Sequence, residues 1–186
     1  MDVREKTKEE VEYRLSEITN DLTKINYLES IISGTSFGFE LKRFVWAKLV
    51  EAYESRGMFD KAAKALSNKA SIDVTFKEKI EDYLGAAEIY ATKLGKIEDS
   101  EEMFKRALRE SNSEQRKVIF LTRKNIYFAT ATNLKKDGKI AAAGKFYEKL
   151  LKMNLEDIEK QEAKEGLIKI YRSLGKFREI ELLKGI

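Results

Sequence analysis

The chain has 186 residues, 42% of them hydrophobic, and carries 36 Lys and Arg against 32 Asp and Glu, a formal charge of +4. It has no cysteine and no histidine, which excludes a disulfide framework, thiolate metal sites, and the side chain most used for acid–base chemistry and metal binding. With no proline, ten glycines and 37% charged residues, the composition suits helices and leaves little punctuation for sheets. An all-α protein is predicted, a single elongated domain over 1–186.

The opening MDVREKTKEEVEYR is too charged for a signal peptide. No apolar run approaches the roughly 20 residues a spanning helix needs, so a soluble, cytoplasmic protein is expected. Residues 1–34 form the first helical segment, with Val11, Leu15, Ile18, Leu22, Ile25 and Ile32 at 3–4 spacing ahead of a break at Gly34-Thr35-Ser36. This is one helix or two. It caps the next helices, since the end of a helical array must be covered, or it self-associates as a coiled coil.

Beyond it, one short motif recurs four times: RGMFDKA, LGKIEDS, DGKIAAA and LGKFREI. Its glycines, Gly57, Gly95, Gly138 and Gly175, are separated by 38, 43 and 37 positions, and each has Phe or Ile two places on. A glycine that enters the left-handed region ends a helix, and the apolar residue after it packs back onto a hairpin. Apolar residues continue at helical spacing on both sides, as in Trp46, Leu49, Val50 and Tyr53, then Ala62, Ala65 and Leu66. Thr75 with Glu78, and Ser111 with Glu114, have capping-box spacing, and Asn154 is a candidate N-cap. The predicted helix pairs are 38–70, 76–110, 113–153 and 156–184, with long helices starting near Thr75 and Ser113.

These residues resemble the tetratricopeptide repeat, whose pattern sets an aromatic, a Leu and a Tyr before a turn Gly, then Ala and an aromatic. The first unit supplies Trp46, Leu49, Tyr53, Gly57, Phe59 and Ala62; the second Leu94, Gly95, Phe104, Ala107 and Leu108; the third Tyr127, Ala131, Gly138, Ala143 and Tyr147; the fourth Leu167, Tyr171, Leu174, Gly175 and Phe177. The small pair Ala131 and Ala143 would let two helices approach closely. Elsewhere the same places hold Val50 with Ala62, Glu88 with Ser100, and Ile168 with Ile180, so the repeats are degenerate. Their spacing exceeds the family's usual 34, and DYLGAAEIYATKLGKIEDSEEMFKRAL is similar to the longer helical arrays of the soluble attachment proteins of vesicle fusion. The resemblance runs from about Phe39 onward. It implies a right-handed α-solenoid of antiparallel helix pairs, about four, after an N-terminal capping helix or helix pair.

In the tetratricopeptide family the first helix of each pair lines a peptide-binding groove. Counting from the glycines, that groove presents Phe44, Ala47, Glu51 and Glu54, then Asp82, Ile89 and Lys93, then Asn125, Phe128, Thr132, Lys135 and Lys136, then Glu165, Lys169 and Arg172. It turns basic toward its second half. Phe128, Lys135, Lys136, Lys169 and Arg172 are therefore the candidate partner-binding residues: four cations for an acidic protein or peptide segment and an aromatic anchor. The family's clamp for a C-terminal carboxylate needs Lys and Asn where this chain has Ala47 and Glu51.

No catalytic residue, cofactor or metal site is expected. Gly138-Lys-Ile-Ala-Ala-Ala-Gly144-Lys145-Phe146 has five residues between its glycines where a phosphate loop has four, and ends in Phe where magnesium needs a hydroxyl. The acidic clusters Glu9, Glu10, Glu12 and Asp99, Glu101, Glu102 are read as exposed helix faces. A protein-interaction scaffold is the leading reading. The alternatives are nucleic-acid binding, because 116–152 holds ten bases from Arg116 to Lys152, and homo-oligomerisation through the N-terminal stripe and the apolar ending Ile180–Ile186.

Overall fold

A computed structural model describes residues 5–34 and 37–184; Thr35 and Ser36 of the N-terminal break, and the last two residues of the apolar ending, lie outside the described residues. Among those described there are ten helices and no strand: α1 (Lys8–Glu17), α2 (Asp21–Ser33), α3 (Phe39–Ser55), α4 (Phe59–Ile72), α5 (Phe76–Thr92), α6 (Ile97–Arg109), α7 (Ser113–Lys136), α8 (Ile140–Leu150), α9 (Asp157–Ser173) and α10 (Phe177–Lys184). Each of α2 to α10 packs on its neighbours in the chain, and α7 also packs on α5. This is an all-α array of helix hairpins, four pairs preceded by two helices.

The hairpin turns share one chemistry. Gly57, Gly95, Gly138 and Gly175 all have positive φ, between 64° and 75°. In each turn the residue after the glycine donates its N–H across the turn, Met58 to the Tyr53 carbonyl, Lys96 to Tyr90, Lys139 to Leu134 and Lys176 to Tyr171, all at 2.8 Å. That bond satisfies a carbonyl which the ending helix leaves without a partner, and only glycine reaches the required backbone without a penalty of roughly 1 kcal/mol.

Helix starts follow local capping, with two corrections. Thr75 and Glu78 form the expected reciprocal box. At α7 the box is Asn112 with Gln115, one residue beyond Ser111 and Glu114. The Ser111 hydroxyl instead donates to the Leu108 carbonyl at 2.9 Å, closing the end of α6 and leaving Asn112 to cap α7. At α9 the cap is Glu156 with Glu159, and Asn154 stands outside the helix. The helix from Phe76 has 17 residues, the same as α3 and α9, and α7 alone is long, at 24.

The N-terminal stripe is divided. Asn20 caps α2 by accepting from the Thr23 amide, so the chain breaks between α1 and α2 and the single-helix register fails. Val11 and Ile25 are buried, whereas Leu22 is 48% exposed.

The pairs are held by small residues and aromatic wedges. Ala131 and Ala143 are fully buried. Phe104, Tyr127 and Phe146 form an edge-to-face stack across α6, α7 and α8, with ring centroids 5.8 and 5.3 Å apart. Between α8 and α9 the fit depends on glycine: a Cβ on Gly166 would stand 2.7 Å from the Tyr147 ring, and one on Gly144 3.3 Å from Ile170. Tyr147 is buried and has no free end to swing away. Gly166→Ala is therefore expected to destabilise the protein by about 1–2 kcal/mol despite alanine's better helix propensity, because overpacking outweighs that gain. Urea denaturation of the variant checks it.

Candidate functional site

The structure sorts the bases of the 116–152 region. Lys117 pairs with Glu114, Arg123 and Lys149 with Glu101, and Lys124 with Glu159 on α9. The remaining six, Arg116, Lys135, Lys136, Lys139, Lys145 and Lys152, make no ion pair among the described residues. The region is thus not one basic patch. Four of its ten cations neutralise acids of the same chain, and the Lys124 pair ties α7 to α9.

Lys135 and Lys136 end α7, and Lys169 and Arg172 lie on α9; all four are exposed and hold no side-chain hydrogen bond or ion pair among the described residues. Phe128 is half-buried and packs on the margin of the core. Two positions mapped onto the groove from sequence lie elsewhere. Ile89 is buried, and Asp82 sits in an internal ion cluster. The turn at Gly95 is one residue longer than that at Gly57, with Lys93 still αR, which rotates the helix register relative to a count from the glycine.

An apolar site that the sequence did not single out lies between α5 and α7. A cleft of ≈ 250 Å³ is lined by Lys77, Ile80, Glu81 and Leu84 of α5 and by Gln115, Val118 and Ile119 of α7. Val118 is 59% exposed and Leu121, one turn on, 49%. At 1.5 Å per residue, Phe128 stands about 15 Å further along α7, and Lys135 about 10 Å beyond that. The first helices of successive pairs therefore carry, in order, an exposed apolar stretch and then four free cations.

Recurrent polar joints hold these helices in place. Tyr53 of α3 donates its hydroxyl to Glu29 of α2 at 2.5 Å, Tyr127 of α7 to Glu101 of α6 at 2.5 Å, and Tyr171 of α9 to Glu148 of α8 at 2.9 Å. In each case a tyrosine near the middle or end of a first helix grips a glutamate on the helix before the pair. Burial, and then the bonded carboxylate, push all three phenols up, Tyr171 to about 12. Correspondingly, the Tyr53 hydroxyl, together with Lys61, holds the Glu29 carboxyl below its ordinary value against the effect of burial. The signal in the sequence is a Glu 24, 26 or 23 residues before the Tyr.

Glu101 is the most heavily used of these acids. Besides the Tyr127 hydroxyl, its two oxygens accept from Arg123 Nη2 at 2.5 and 2.7 Å, and it faces Lys149 at 3.7 Å. Its side chain is 12% exposed, which corrects the reading of Glu101 as part of an exposed face, whereas Asp99 is exposed and the Glu102 side chain is 42% exposed. The Arg123 guanidinium also stacks over the Phe104 and Tyr127 rings. This joint binds α6, α7 and α8 together where α6 and α7 are less closely apposed than α4 and α5.

The α4–α5 seam uses a different joint. Lys69 donates to Asp82 at 2.7 Å and lies 3.6 Å from Asp73, whose carboxylate is 1% exposed. Burial opposes the Lys69 charge, but its hydrogen bond to Asp82 and the neighbouring carboxylates outweigh this and raise its pKa. Burial raises Asp82 to about 7, reinforced by the Asp73 carboxylate and only partly offset by Lys69.

These features define an all-helical repeat array: hairpins turned at left-handed glycines, with the first helices α5 and α7 packed on each other. No family model matches the chain, and no curated protein does. Among solved structures it is similar to a protein of Podosopora anserina described as a putative kinesin light chain with nearly identical TPR-like repeats, at 14% identity over 95% of this chain and 89% of that one, with a TM-score of 0.40. A singly substituted form of the same protein gives 14% identity, the same coverage and a TM-score of 0.41. The class rests on the chain's own turns and packing. Among the described residues no helix is long and apolar enough to cross a membrane, and no three acidic, Cys or His side chains are grouped to hold a metal ion.

Proposed function

We propose that the protein is an interaction module that binds a segment of a protein partner along the face of its first helices α5, α7 and α9. Binding, not catalysis, is the proposed role. An apolar side chain of the partner would enter the α5–α7 cleft beside Val118 and Leu121, with Phe128 extending the apolar track. Acidic residues further along the partner would meet Lys135, Lys136, Lys169 and Arg172.

The observation that carries this reading is that these four cations are exposed and unpaired among the described residues, while their neighbours Arg123, Lys124 and Lys149 are all tied to acids of the chain. Unpaired cations beside exposed apolar side chains favour an acidic, partly apolar ligand, because charge steers the encounter and the apolar contact holds it. The test is to reverse the four cations together to Glu and measure partner binding. A loss of about tenfold or more in affinity is expected. Unchanged affinity would eliminate this face. Binding to duplex or single-stranded nucleic acid that weakens linearly in log–log terms with rising salt would replace the protein partner by phosphates.

A further inference from the structure

The seams between consecutive helix pairs are not built alike. At α4–α5 and α8–α9 the helices interlock through glycine: a Cβ on Gly85 would stand 3.2 Å from Leu66, one on Gly144 3.3 Å from Ile170, and one on Gly166 2.7 Å from the Tyr147 ring. A side chain seated against bare backbone leaves no room to turn, so such a seam moves as one body. The α6–α7 seam has no such interlock. Neither α6 nor α7 contains a glycine, and of the consecutive helices from α2 onward these two are the least closely apposed.

What crosses the α6–α7 seam is gathered at one place and is mostly polar. Glu101 of α6 receives Arg123 and Tyr127 of α7 and faces Lys149 of α8, while Phe104 meets Tyr127 edge-on. Arg and Lys reach these contacts through flexible stems, which keep hold while the helix axes shift. Away from that joint α7 leans on α5, and the two enclose the ≈ 250 Å³ cleft instead of closing on each other. The link in the chain is short: Ser111 and Asn112 stand between Glu110, which ends α6, and Ser113, which starts α7.

From this we infer that the array is two rigid blocks, α2–α6 and α7–α9, hinged at Ser111–Asn112 and latched by Glu101. A few residues at the ends of elements, absorbing a change in φ and ψ, are enough for such a hinge. Because α5 belongs to one block and α7 to the other, the cleft between them widens and narrows with the same motion. The hinge stands whether or not a partner enters that cleft; its use in admitting one rests on the reading proposed above.

The chain has no cysteine, so introduced cysteines carry spin labels at chosen positions only. Lys64 of α4, Lys105 of α6 and Lys145 of α8 are exposed and lie on the second helices of three successive pairs. Labels at Lys64→Cys with Lys105→Cys span the α4–α5 seam, and labels at Lys105→Cys with Lys145→Cys span the α6–α7 seam. Pulsed electron-spin measurement on the full chain is expected to give a distance distribution at least about twice as wide for the second pair as for the first. Equal widths overturn the hinge, whether both are narrow or both are broad. Glu101→Gln keeps the size of the side chain and drops its charge, and is expected to widen the second distribution further while the first stays as it was. If this variant, folded by circular dichroism, leaves the second distribution unchanged or widens both alike, Glu101 is not the latch. The first comparison leaves the seam itself unaltered, so it tests the hinge even where Glu101→Gln unfolds.

Discussion

Glu101→Ala is expected to lower the unfolding free energy by about 3 kcal/mol, among the largest effects of any single substitution of a charged residue in this chain. The carboxylate is nearly buried and satisfies Arg123, Tyr127 and, at longer range, Lys149. Removing it leaves a guanidinium and a phenol without partners inside the α6–α7–α8 seam, and desolvation without compensation makes such losses large. Glu114→Ala, which breaks an exposed pair with Lys117, should leave the urea midpoint where it is. A double-mutant cycle with Tyr127→Phe should give a coupling of about 1 kcal/mol, because both changes remove the same bond. If Glu101→Ala and Glu114→Ala shift the midpoint equally, the joint does not hold the seam.

Lys69→Met is expected to have a comparable effect, with a pH dependence that identifies its cause. It strips the cation from between Asp73 and Asp82 and leaves two nearly buried carboxylates facing each other, at a cost of about 3 kcal/mol at pH 8. Acid relieves that cost, since a proton on the pair removes the repulsion. In the parent protein the sign is the same. The folded pKa of Asp82 is raised from an ordinary 3.8 to about 7, so across that window the folded state holds a proton that the unfolded chain has released. The stability contributed by this group is full below about 4 and is lost as pH rises through 7, with a slope no steeper than about 1.4 kcal/mol per pH unit. Other carboxylates run the opposite way: Glu29 and Glu159, held low by hydrogen bonds from Tyr53 and Lys124, lose their contribution as pH falls. The Asp82 component is therefore read as the difference between the parent and Asp82→Asn, whose stability should approach the parent's at acid pH and exceed it toward pH 8. Parallel curves for the two proteins would remove Asp82 as the titrating group.

What the sequence displays is what short-range chemistry dictates. The four glycine turns were legible because a left-handed residue, a hydrogen bond across the turn and an apolar residue two places on all lie within one short stretch. Thr75 was legible for the same reason. Ser111 misled because its hydroxyl closes the end of α6 and leaves Asn112 to cap α7, and Asn154 because Glu156 holds the capping box of α9. The joints between Tyr53 and Glu29, Tyr127 and Glu101, and Tyr171 and Glu148 join helices across more than twenty residues, so each half reads as an ordinary apolar or charged surface position. Asp82 shows the same failure from the other side: counted from Gly95 it faces the groove, and only the partner helix α4, with Lys69 and Asp73, explains why a carboxylate is buried there. Of the candidate site, the cations on α7 and α9 were legible as charges on exposed faces. The α5–α7 cleft was not, because the two helices that bound it are separated in the chain by α6.

Hydrogen exchange of the protein with and without its captured partner distinguishes a binding face on the first helices from one elsewhere on the array. Bound partner should slow exchange in α7 around Val118–Lys136 and in α9 around Glu165–Arg172, while α4 and α6 exchange as in the free protein. Protection confined to α4, α6 and α8, with α7 and α9 unchanged, would contradict it.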